Sequence, residues 1–191
     1  MKDVKILGIG GTDASGKDTL GELMAERHGW LFISVTDLLR AEVTKRGMVL
    51  ERPTLRSISA EWRRSKGPSV LVDKAMKEFE AVEKKYQGLV IASLRHPAEA
   101  DRVHQLGGKV IWVDADPEVR YRRIVVRNRG SEDQVTFEEF LAEERSQMQH
   151  SGDEATLSLE GVKAKADVFL ENNGDDIDAF KNEVNKALED L

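Results

Sequence analysis

The residues of this chain best suited to chemistry form a glycine-containing loop close to its beginning. Residues 11–19 read Gly-Thr-Asp-Ala-Ser-Gly-Lys-Asp-Thr and match the spacing G-x-x-x-x-G-K, directly after an apolar run from Val4 to Gly10. In such a loop, successive backbone N–H groups and the N-terminus of the following helix converge on a phosphate, and the lysine neutralises its charge. A plain glycine turn is disfavoured because strand, loop, lysine and amphipathic helix occur in this order. We therefore expect a nucleotide's phosphates to be bound by Gly11, Asp13, Ala14, Ser15, Gly16, Lys17, Asp18 and Thr19.

Two arginines are placed to hold a second anion. Arg40 lies one helical turn beyond Thr36, so its guanidinium and the threonine hydroxyl can face the same cavity mouth. Arg95 comes just after an apolar strand, at the edge where open parallel sheets bind their ligands. The alternative for Arg40 is a solvated arginine on an ordinary capped helix. The pattern indicates a site for the phosphate of a second substrate.

Short apolar runs alternate with amphipathic segments along the whole chain, which predicts a parallel sheet covered by helices on both faces. After the first strand, further strands are predicted at Trp30–Ser34, Leu89–Ala92, Val110–Val113 and Asp167–Leu170. Helices are predicted at residues 18–27, 36–46, 53–66, 69–85, 96–106, 117–127 and 136–148, and at the C-terminal end. We expect Thr36 and Asp37 to cap the second helix.

Composition limits the function classes that remain. A chain of 191 residues with 40% hydrophobic residues and no proline-rich linker predicts one domain over residues 1–191. The net charge of −6 provides no positive field for nucleic acid. The absence of cysteine excludes disulfides and thiolate metal sites. We find neither a signal-peptide core nor an apolar run of membrane-spanning length, and we expect a cytoplasmic protein with no membrane partner.

The string from Ile33 to Val43 resembles the adenylate kinase segment that carries the phosphate-binding arginine for the acceptor. Over nearly its whole length the chain resembles the P-loop nucleoside monophosphate kinases, a group that includes adenylate and thymidylate kinases and is related to dephospho-CoA kinase. The resemblance implies a three-layer α/β fold with a five-stranded parallel sheet in the order 2-3-1-4-5, an acceptor-binding flap at about residues 36–86 and a short lid at about residues 127–147. It also implies substrate binding by Asp13, Thr36, Arg40, Arg56 and Arg95.

The resemblance implies ATP and Mg²⁺, but one family residue is missing. Adenylate kinases have an aspartate that organises the waters of magnesium where this chain has Ala92. Because magnesium needs few protein ligands, Asp13, Asp18 or Asp114 could replace it. Asp114 equally suits a cap or turn, and Asp13 resembles the loop aspartate of thymidylate kinases, which faces the acceptor sugar. Adenylate kinases place a threonine two residues after the lysine, which implies that Thr19 contacts an α-phosphate.

A cluster of arginines follows the fourth predicted strand and comprises Arg120, Arg122, Arg123, Arg127 and Arg129. A solvated face paired with nearby glutamates is the alternative to anion binding. The resemblance implies that Arg123 stacks on the donor base, that Arg127 reaches the transferring phosphates and that Arg145 closes over them from the helix beyond the lid. It also implies that the turn at Asn173 and Gly174 frames the donor purine.

The function implied is transfer of a phosphoryl group from ATP to a nucleoside or deoxynucleoside monophosphate. Lys17, Arg95, Arg123, Arg127 and Arg145 are the expected catalytic residues. No general base is required, because the acceptor's phosphate oxygen is already ionised at neutral pH. Two alternatives remain: transfer to a hydroxyl, as in dephospho-CoA kinase, which needs a carboxylate base, and a P-loop ATPase or switch without an acceptor. The sequence leaves the acceptor's base and the oligomeric state open.

Overall fold

A computed structural model describes residues 5–127, 134–148, 153 and 155–189. Its sheet has five strands, β1 (Ile6–Gly11), β2 (Leu31–Ser34), β3 (Leu89–Leu94), β4 (Lys109–Asp114) and β5 (Val168–Glu171). Neighbouring strands are all parallel and lie in the order β2-β3-β1-β4-β5. The expected fold class and strand order, those of a P-loop kinase, are therefore confirmed.

The helices connect these strands in the alternating manner that the sequence predicts. They are α1 (Lys17–His28), α2 (Val35–Lys45), α3 (Arg52–Lys66), α4 (Val70–Glu80), α5 (Pro97–Gln105), α6 (Pro117–Arg127), α7 (Phe137–Met148), α8 (Leu159–Lys163) and α9 (Ile177–Glu189). Within the described ranges, none of them is long and apolar enough to cross a membrane.

Two hydrophobic cores sandwich the sheet, because successive side chains of a strand point to opposite faces. In β1, Ile6 packs in the core shared with α2, α3, α4, α5 and α8, whereas Leu7 packs in the core shared with α1 and α9. Trp112 and Ile111 divide in the same way in β4. Because all strands are parallel, their carboxyl ends lie at the same edge of the sheet, and α1, α2 and α5 begin at this edge.

Some predicted boundaries were wrong. The predicted helix at residues 69–85 is α4, which ends at Glu80, followed by a separate 3₁₀ turn at Glu83–Lys85. Helix α2 begins at Val35, so Thr36 and Asp37 lie in its first turn and do not cap it. The sequence did not predict the short helix α8. Ser158 is its N-cap, and the Ser158 hydroxyl accepts a hydrogen bond from the Gly161 backbone N–H.

Strand β3 also continues to Leu94, two residues beyond its predicted end. Near that end Ser93 adopts φ +69°, and the pairing with β1 shifts register after Ile9. A polar residue in the left-handed region ends the apolar pattern early, which is why the strand looked shorter in the sequence.

Candidate active site

A cavity of about 520 Å³ opens at the carboxyl edge of the sheet. This location is the one expected for ligands of open parallel α/β folds. Its walls come from the loop after β1, from α2 and α3, from the turn after β3, from α6 and α7, and from the segment after β5. The charged residues that line it are Asp13, Lys17, Asp18, Arg40, Arg52, Arg56, Arg63, Arg95, Arg123, Arg127, Glu143 and Asp175.

The phosphate-binding loop joins β1 to α1 as its sequence predicts. Gly16, at the N-cap of α1, has φ +105°, and a Cβ there would lie 2.5 Å from Nδ2 of Asn172. Only glycine meets both conditions without strain. The loop is held by the Ser15 hydroxyl, which donates to the Thr12 carbonyl at 2.9 Å, and by the Asn172 amide, which donates to the Ser15 carbonyl at 2.9 Å.

Lys17 points back along this loop, where its ammonium donates a hydrogen bond to the Thr12 carbonyl. The side chain is buried, and burial lowers the pKa of Lys17 to about 8 against the opposing attraction of Asp13. Nearby Arg95 lowers this pKa further. The site therefore holds a concentrated positive charge that a phosphate would stabilise.

Asp13 lines the cavity between two arginines, on the side formed by α3 and the turn after β3. Its carboxylate accepts hydrogen bonds from Arg95 Nη2 at 2.6 Å and from Arg52 Nη1 at 2.9 Å. Burial alone would raise the pKa of Asp13, but the charges of Arg95, Lys17 and Arg52 outweigh it and hold this pKa well below its ordinary value. Asp13 is consequently a counter-anion for the arginines and a poor proton acceptor.

Arg95 lies where the sequence places it, directly after β3. Its backbone N–H donates to Glu99 Oε2 at 2.8 Å, and the backbone N–H of His96 donates to the same oxygen at 3.1 Å. His96 is the N-cap of α5, and Nδ1 of its ring accepts from the Ala98 backbone N–H. Together these bonds fix the turn from which the Arg95 guanidinium enters the cavity.

The cavity-facing side of α3 carries a stripe of polar residues that the sequence analysis found only in part. Arg52, Arg56, Ser59 and Arg63 all line the cavity, and their spacing of three or four residues places them on one helix face. Arg56 was a predicted site residue, whereas Arg52 and Arg63 lie within the predicted flap at about residues 36–86 and were assigned no role. The i, i+4, i+7, i+11 spacing was the signal that could have identified all four.

Helix α7 contributes Glu143 and Gln147 to the cavity wall. Glu143 accepts a hydrogen bond from Arg56, and it also accepts one from the Gln147 amide at 2.7 Å. The Gln147 carbonyl oxygen in turn accepts from Arg95. Arg145, the predicted catalytic residue of this helix, is exposed and is not among the described residues that line the cavity. Its role stays a prediction that would require α7 to rotate.

Thr36 and Arg40 both line the cavity from α2, as their spacing predicts. In the structure Arg40 Nη1 also bonds its neighbour Asp37 at 3.0 Å. The Asp37 side chain is 67% exposed, so water can solvate it if Arg40 exchanges this bond for a ligand's phosphate.

Another side of the cavity is lined by α6 and the turn after β5. Arg123 donates to the Gly174 carbonyl at 2.7 Å and lies 3.5 Å from the Ala14 carbonyl, and Arg127 lines the same wall. Asn173 does not line it, because its side chain accepts from the Asp116 backbone N–H at 2.6 Å. Asn172 lines the wall in its place, one residue from the prediction.

Of the other arginines of the predicted cluster, Arg120 and Arg122 do not line the cavity. Arg120 is buried and donates to the Glu144 carboxylate and, at 2.7 Å, to the Ala115 carbonyl, so it ties α6 to α7. It pairs with a glutamate, as the alternative to anion binding expected, but it is buried and not part of a solvated face. Arg122 is exposed, and Arg129 lies outside the described residues.

The candidate magnesium ligands differ in position. Asp18 and Thr19 line the cavity beside Lys17. Asp114 instead accepts from the Thr12 hydroxyl at 2.7 Å and from the Ala115 backbone N–H at 2.9 Å, and it is not part of the lining. It therefore behaves as the cap or turn residue that was its alternative. Among the described residues no group of three or more His, Asp or Glu side chains could hold a metal ion. One carboxylate and one hydroxyl fit Mg²⁺ that is bound mainly by nucleotide phosphates and water.

Comparison with known proteins agrees with this architecture. UPF0200 protein PAE1629 of Pyrobaculum aerophilum is 27% identical over 98% of this chain and 99% of its own length. UPF0200 protein TK1334 of Thermococcus kodakarensis is 28% identical over 96% of both chains.

Two solved structures of shikimate kinases share the fold. The enzyme from Bacteroides thetaiotaomicron superimposes with a TM-score of 0.56 at 14% identity, covering 97% of this chain and 98% of that one. The enzyme from Acinetobacter baumannii, in complex with shikimate, superimposes with a TM-score of 0.57 at 16% identity, covering 98% of this chain and 92% of that one. A family model described as an AAA domain matches residues 7–147, which is most of the sequence. The chain therefore belongs to the AAA domain family AAA_18 and has the fold of P-loop kinases.

Proposed function

We propose that this protein transfers a phosphoryl group from ATP to a small acceptor that itself carries a phosphate, with a nucleoside monophosphate as the acceptor class. The observation that carries the proposal is one cavity lined by two sets of basic groups. Lys17 belongs to the phosphate-binding loop, whereas Arg40, Arg56 and Arg95 enter from α2, α3 and the turn after β3. We infer that each set forms one anion site. A nucleotide hydrolase without an acceptor has no use for the second site.

The charge of the cavity supports two anionic ligands. Among the described residues, eight basic and four acidic side chains line it, in a chain whose net charge is −6. A phosphomonoester brings a charge of about −2 at neutral pH, in addition to the charge of the ATP phosphates. The excess of basic over acidic side chains in the lining favours a second anionic ligand over an uncharged one.

The arrangement suits a reaction that depends on positioning and electrostatics. Lys17 and the loop amides would hold the donor phosphates, and Arg95 and Arg40 would orient the acceptor oxygen in line with the γ-phosphate. Arg123 and Arg127 would stabilise the charge that spreads over the transferring oxygens. Magnesium, held near Asp18 and Thr19, would add its charge to the donor phosphates.

Proton transfer has no obvious agent among the groups nearest the loop. Asp13 is a poor base because its neighbours keep its pKa low. A phosphate acceptor needs no base, since its oxygen is ionised already. The shared fold with enzymes whose structures are named shikimate kinases supports phosphoryl transfer in general.

Transfer to a hydroxyl is the second candidate, and one observation favours it. Glu143 is a carboxylate on the cavity wall opposite the loop, where it could accept a proton from an acceptor's hydroxyl. In the structure it is committed to Arg56 and Gln147. We therefore rank this function below transfer to a phosphate.

The test is a panel assay with purified protein, ATP and Mg²⁺. Nucleoside and deoxynucleoside monophosphates, dephospho-CoA and shikimate are offered one at a time, and ADP and the phosphorylated product are both quantified. The proposal expects ADP formation that depends on one or more monophosphates and yields the diphosphate. Product from a hydroxyl acceptor alone would select the second candidate. ADP and free phosphate at the same rate with every acceptor, or with none, would refute transfer.

A further inference from the structure

Three arginines on the cavity face of α3 are each paired with a carboxylate from a different part of the chain. Arg52 pairs with Asp13 of the phosphate-binding loop at 2.9 Å, and Arg56 pairs with Glu143 of α7. Arg63 pairs with Glu99 of α5 at 2.7 Å. The pairs follow one another along the helix, and Arg63 lies eleven residues, or about 16 Å of helix axis, beyond Arg52.

These pairs differ sharply in how well they are shielded from water. The side chains of Arg52 and Asp13 are 23% and 20% exposed, and those of Arg56 and Glu143 are 41% and 27% exposed. The side chains of Arg63 and Glu99 are only 2% and 0% exposed. A partly exposed arginine can exchange a carboxylate for a ligand's phosphate more easily than a buried one, because water can solvate the carboxylate that is released. Separating a fully buried pair leaves an uncompensated charge in the interior and is strongly unfavourable.

Further hydrogen bonds fix the buried pair in place. The second carboxylate oxygen of Glu99 accepts from the backbone N–H groups of Arg95 and His96. Arg63 Nη1 contacts the Ser59 hydroxyl at 3.2 Å and the Ala155 carbonyl at 3.4 Å. The charge of Arg63 is thus cancelled within the protein, although the residue lines the cavity.

We propose that the Arg63–Glu99 pair forms a neutral far wall of the acceptor site and selects phosphomonoesters whose end opposite the phosphate is uncharged. This inference rests on the proposed function. The acceptor's phosphate meets the exchangeable arginines near the loop, and its other end meets a wall that offers no free countercharge. Nucleoside monophosphates with neutral bases satisfy this requirement. Acceptors with a carboxylate or a second phosphate at that end do not, because the added anion would lose its water beside Arg63, whose charge Glu99 already balances, and would gain no free cation in exchange.

The first test uses the unmodified protein and acceptors that differ only in charge. Uridine monophosphate with a 5-carboxylate is compared with its 5-carboxamide, and adenosine monophosphate with an N6-carboxymethyl group is compared with its N6-carbamoylmethyl analogue. Each pair has nearly equal size. We expect kcat/KM to be lower by about tenfold or more for the carboxylate member, the equivalent of about 1.4 kcal/mol. Equal kcat/KM values for the carboxylate and the carboxamide member of the pair that the protein accepts would overturn the inference.

The second test reverses the selectivity. Glu99→Gln keeps an oxygen for the backbone N–H groups but leaves the charge of Arg63 uncompensated. We expect the ratio of kcat/KM for carboxylate over carboxamide to rise about tenfold. The double variant Arg63→Met with Glu99→Gln removes both charges and should return the ratio to its original value. Arg64→Met is the matched control, because Arg64 is exposed and bonds Asp153 outside the cavity, and it should leave the ratio unchanged.

The outcomes separate this inference from the function on which it rests. A folded Glu99→Gln protein, as judged by circular dichroism, with an unchanged ratio overturns the neutral wall alone. If Glu99→Gln does not fold, the comparison in the unmodified protein and the double variant decide. If no member of either pair nor any parent nucleotide accepts a phosphoryl group, the proposed function fails, and the inference fails with it.

Discussion

Raising the pH should weaken ATP binding through a single side chain, Lys17. Burial lowers the pKa of this lysine from 10.5 to about 8 in the empty site. A bound phosphate favours the charged ammonium and raises this pKa again. The nucleotide therefore binds the protonated form, and its affinity must fall once the pH exceeds the pKa of the empty protein.

The size of the effect follows from proton linkage. If only the protonated lysine binds ATP, the dissociation constant is multiplied by one plus ten to the power of pH minus pKa. With a pKa of about 8, the dissociation constant rises by about 10% at pH 7, twofold at pH 8 and elevenfold at pH 9. Stability changes in the opposite direction. Because the folded protein holds the Lys17 proton less tightly than the unfolded chain does, this group adds up to about 3 kcal/mol as the pH rises from 8 to 10.5.

The assay is calorimetric titration of the protein with ATP and Mg²⁺ between pH 7 and 9.5. Lys17→Arg is the matched control, because a guanidinium stays charged over this range and keeps the cation in place. The variant should lose most of the pH dependence even where its affinity is lower. A flat profile for the unmodified protein, or an equal decline in Lys17→Arg, would refute the reasoning.

Three further predictions concern acceptor binding and stability. Arg95→Ala should lower kcat/KM for the acceptor by roughly a hundredfold with little change in ATP affinity, whereas Arg64→Ala should change neither, and steady-state kinetics would contradict this if the two variants behaved alike. Asp13→Asn should cost about 1–3 kcal/mol at neutral pH, because it removes the counter-anion of two arginines. Since the folded pKa of Asp13 is depressed, its contribution is lost in the original protein as the pH falls below about 4, so urea titrations should show the difference shrinking there; a constant difference would argue against it. Gly21→Ala should cost about 1–3 kcal/mol in the same titrations, because its Cβ would lie 2.2 Å from the Phe32 ring, and an unchanged midpoint would show that this packing adjusts freely.

The sequence predicted the fold well because strong local signals and chain order determine it. Five apolar runs separated by amphipathic segments leave few topologies, and the loop before Lys17 fixes where the first helix starts. Boundaries failed where a local signal was ambiguous. Thr36 is a good capping residue, but β2 runs directly into α2, so the helix begins one residue earlier, at Val35. Thr36 therefore lies in the first turn of the helix, where it lines the cavity.

The residues that line the cavity could be predicted from the sequence near the phosphate-binding loop, and less completely on α3 and α7. Arg40 and Arg95 follow recognisable motifs, whereas the partners that occupy them come from distant parts of the chain. Glu143 and Gln147 are more than 85 and 50 residues away from the arginines they contact, and nothing in the sequence pairs them. In the sequence Glu99 is an ordinary residue of a helix's first turn. In the structure its two carboxylate oxygens join Arg63 of α3 to the Arg95 backbone in the turn after β3.

These pairings change how the arginines on the side of the cavity formed by α3 and the turn after β3 should be understood. Arg95 and Arg52 share the carboxylate of Asp13, and Arg95 also shares Gln147 with Glu143. An incoming phosphate does not meet isolated cations, because it replaces internal partners that already satisfy them. Its binding free energy is a difference between two sets of hydrogen bonds, so the effects of removing single arginines cannot be summed. Exposure decides which partners can be replaced. In the proposed function it would separate the arginines that bind the substrate from Arg63, whose pair with Glu99 is fully buried.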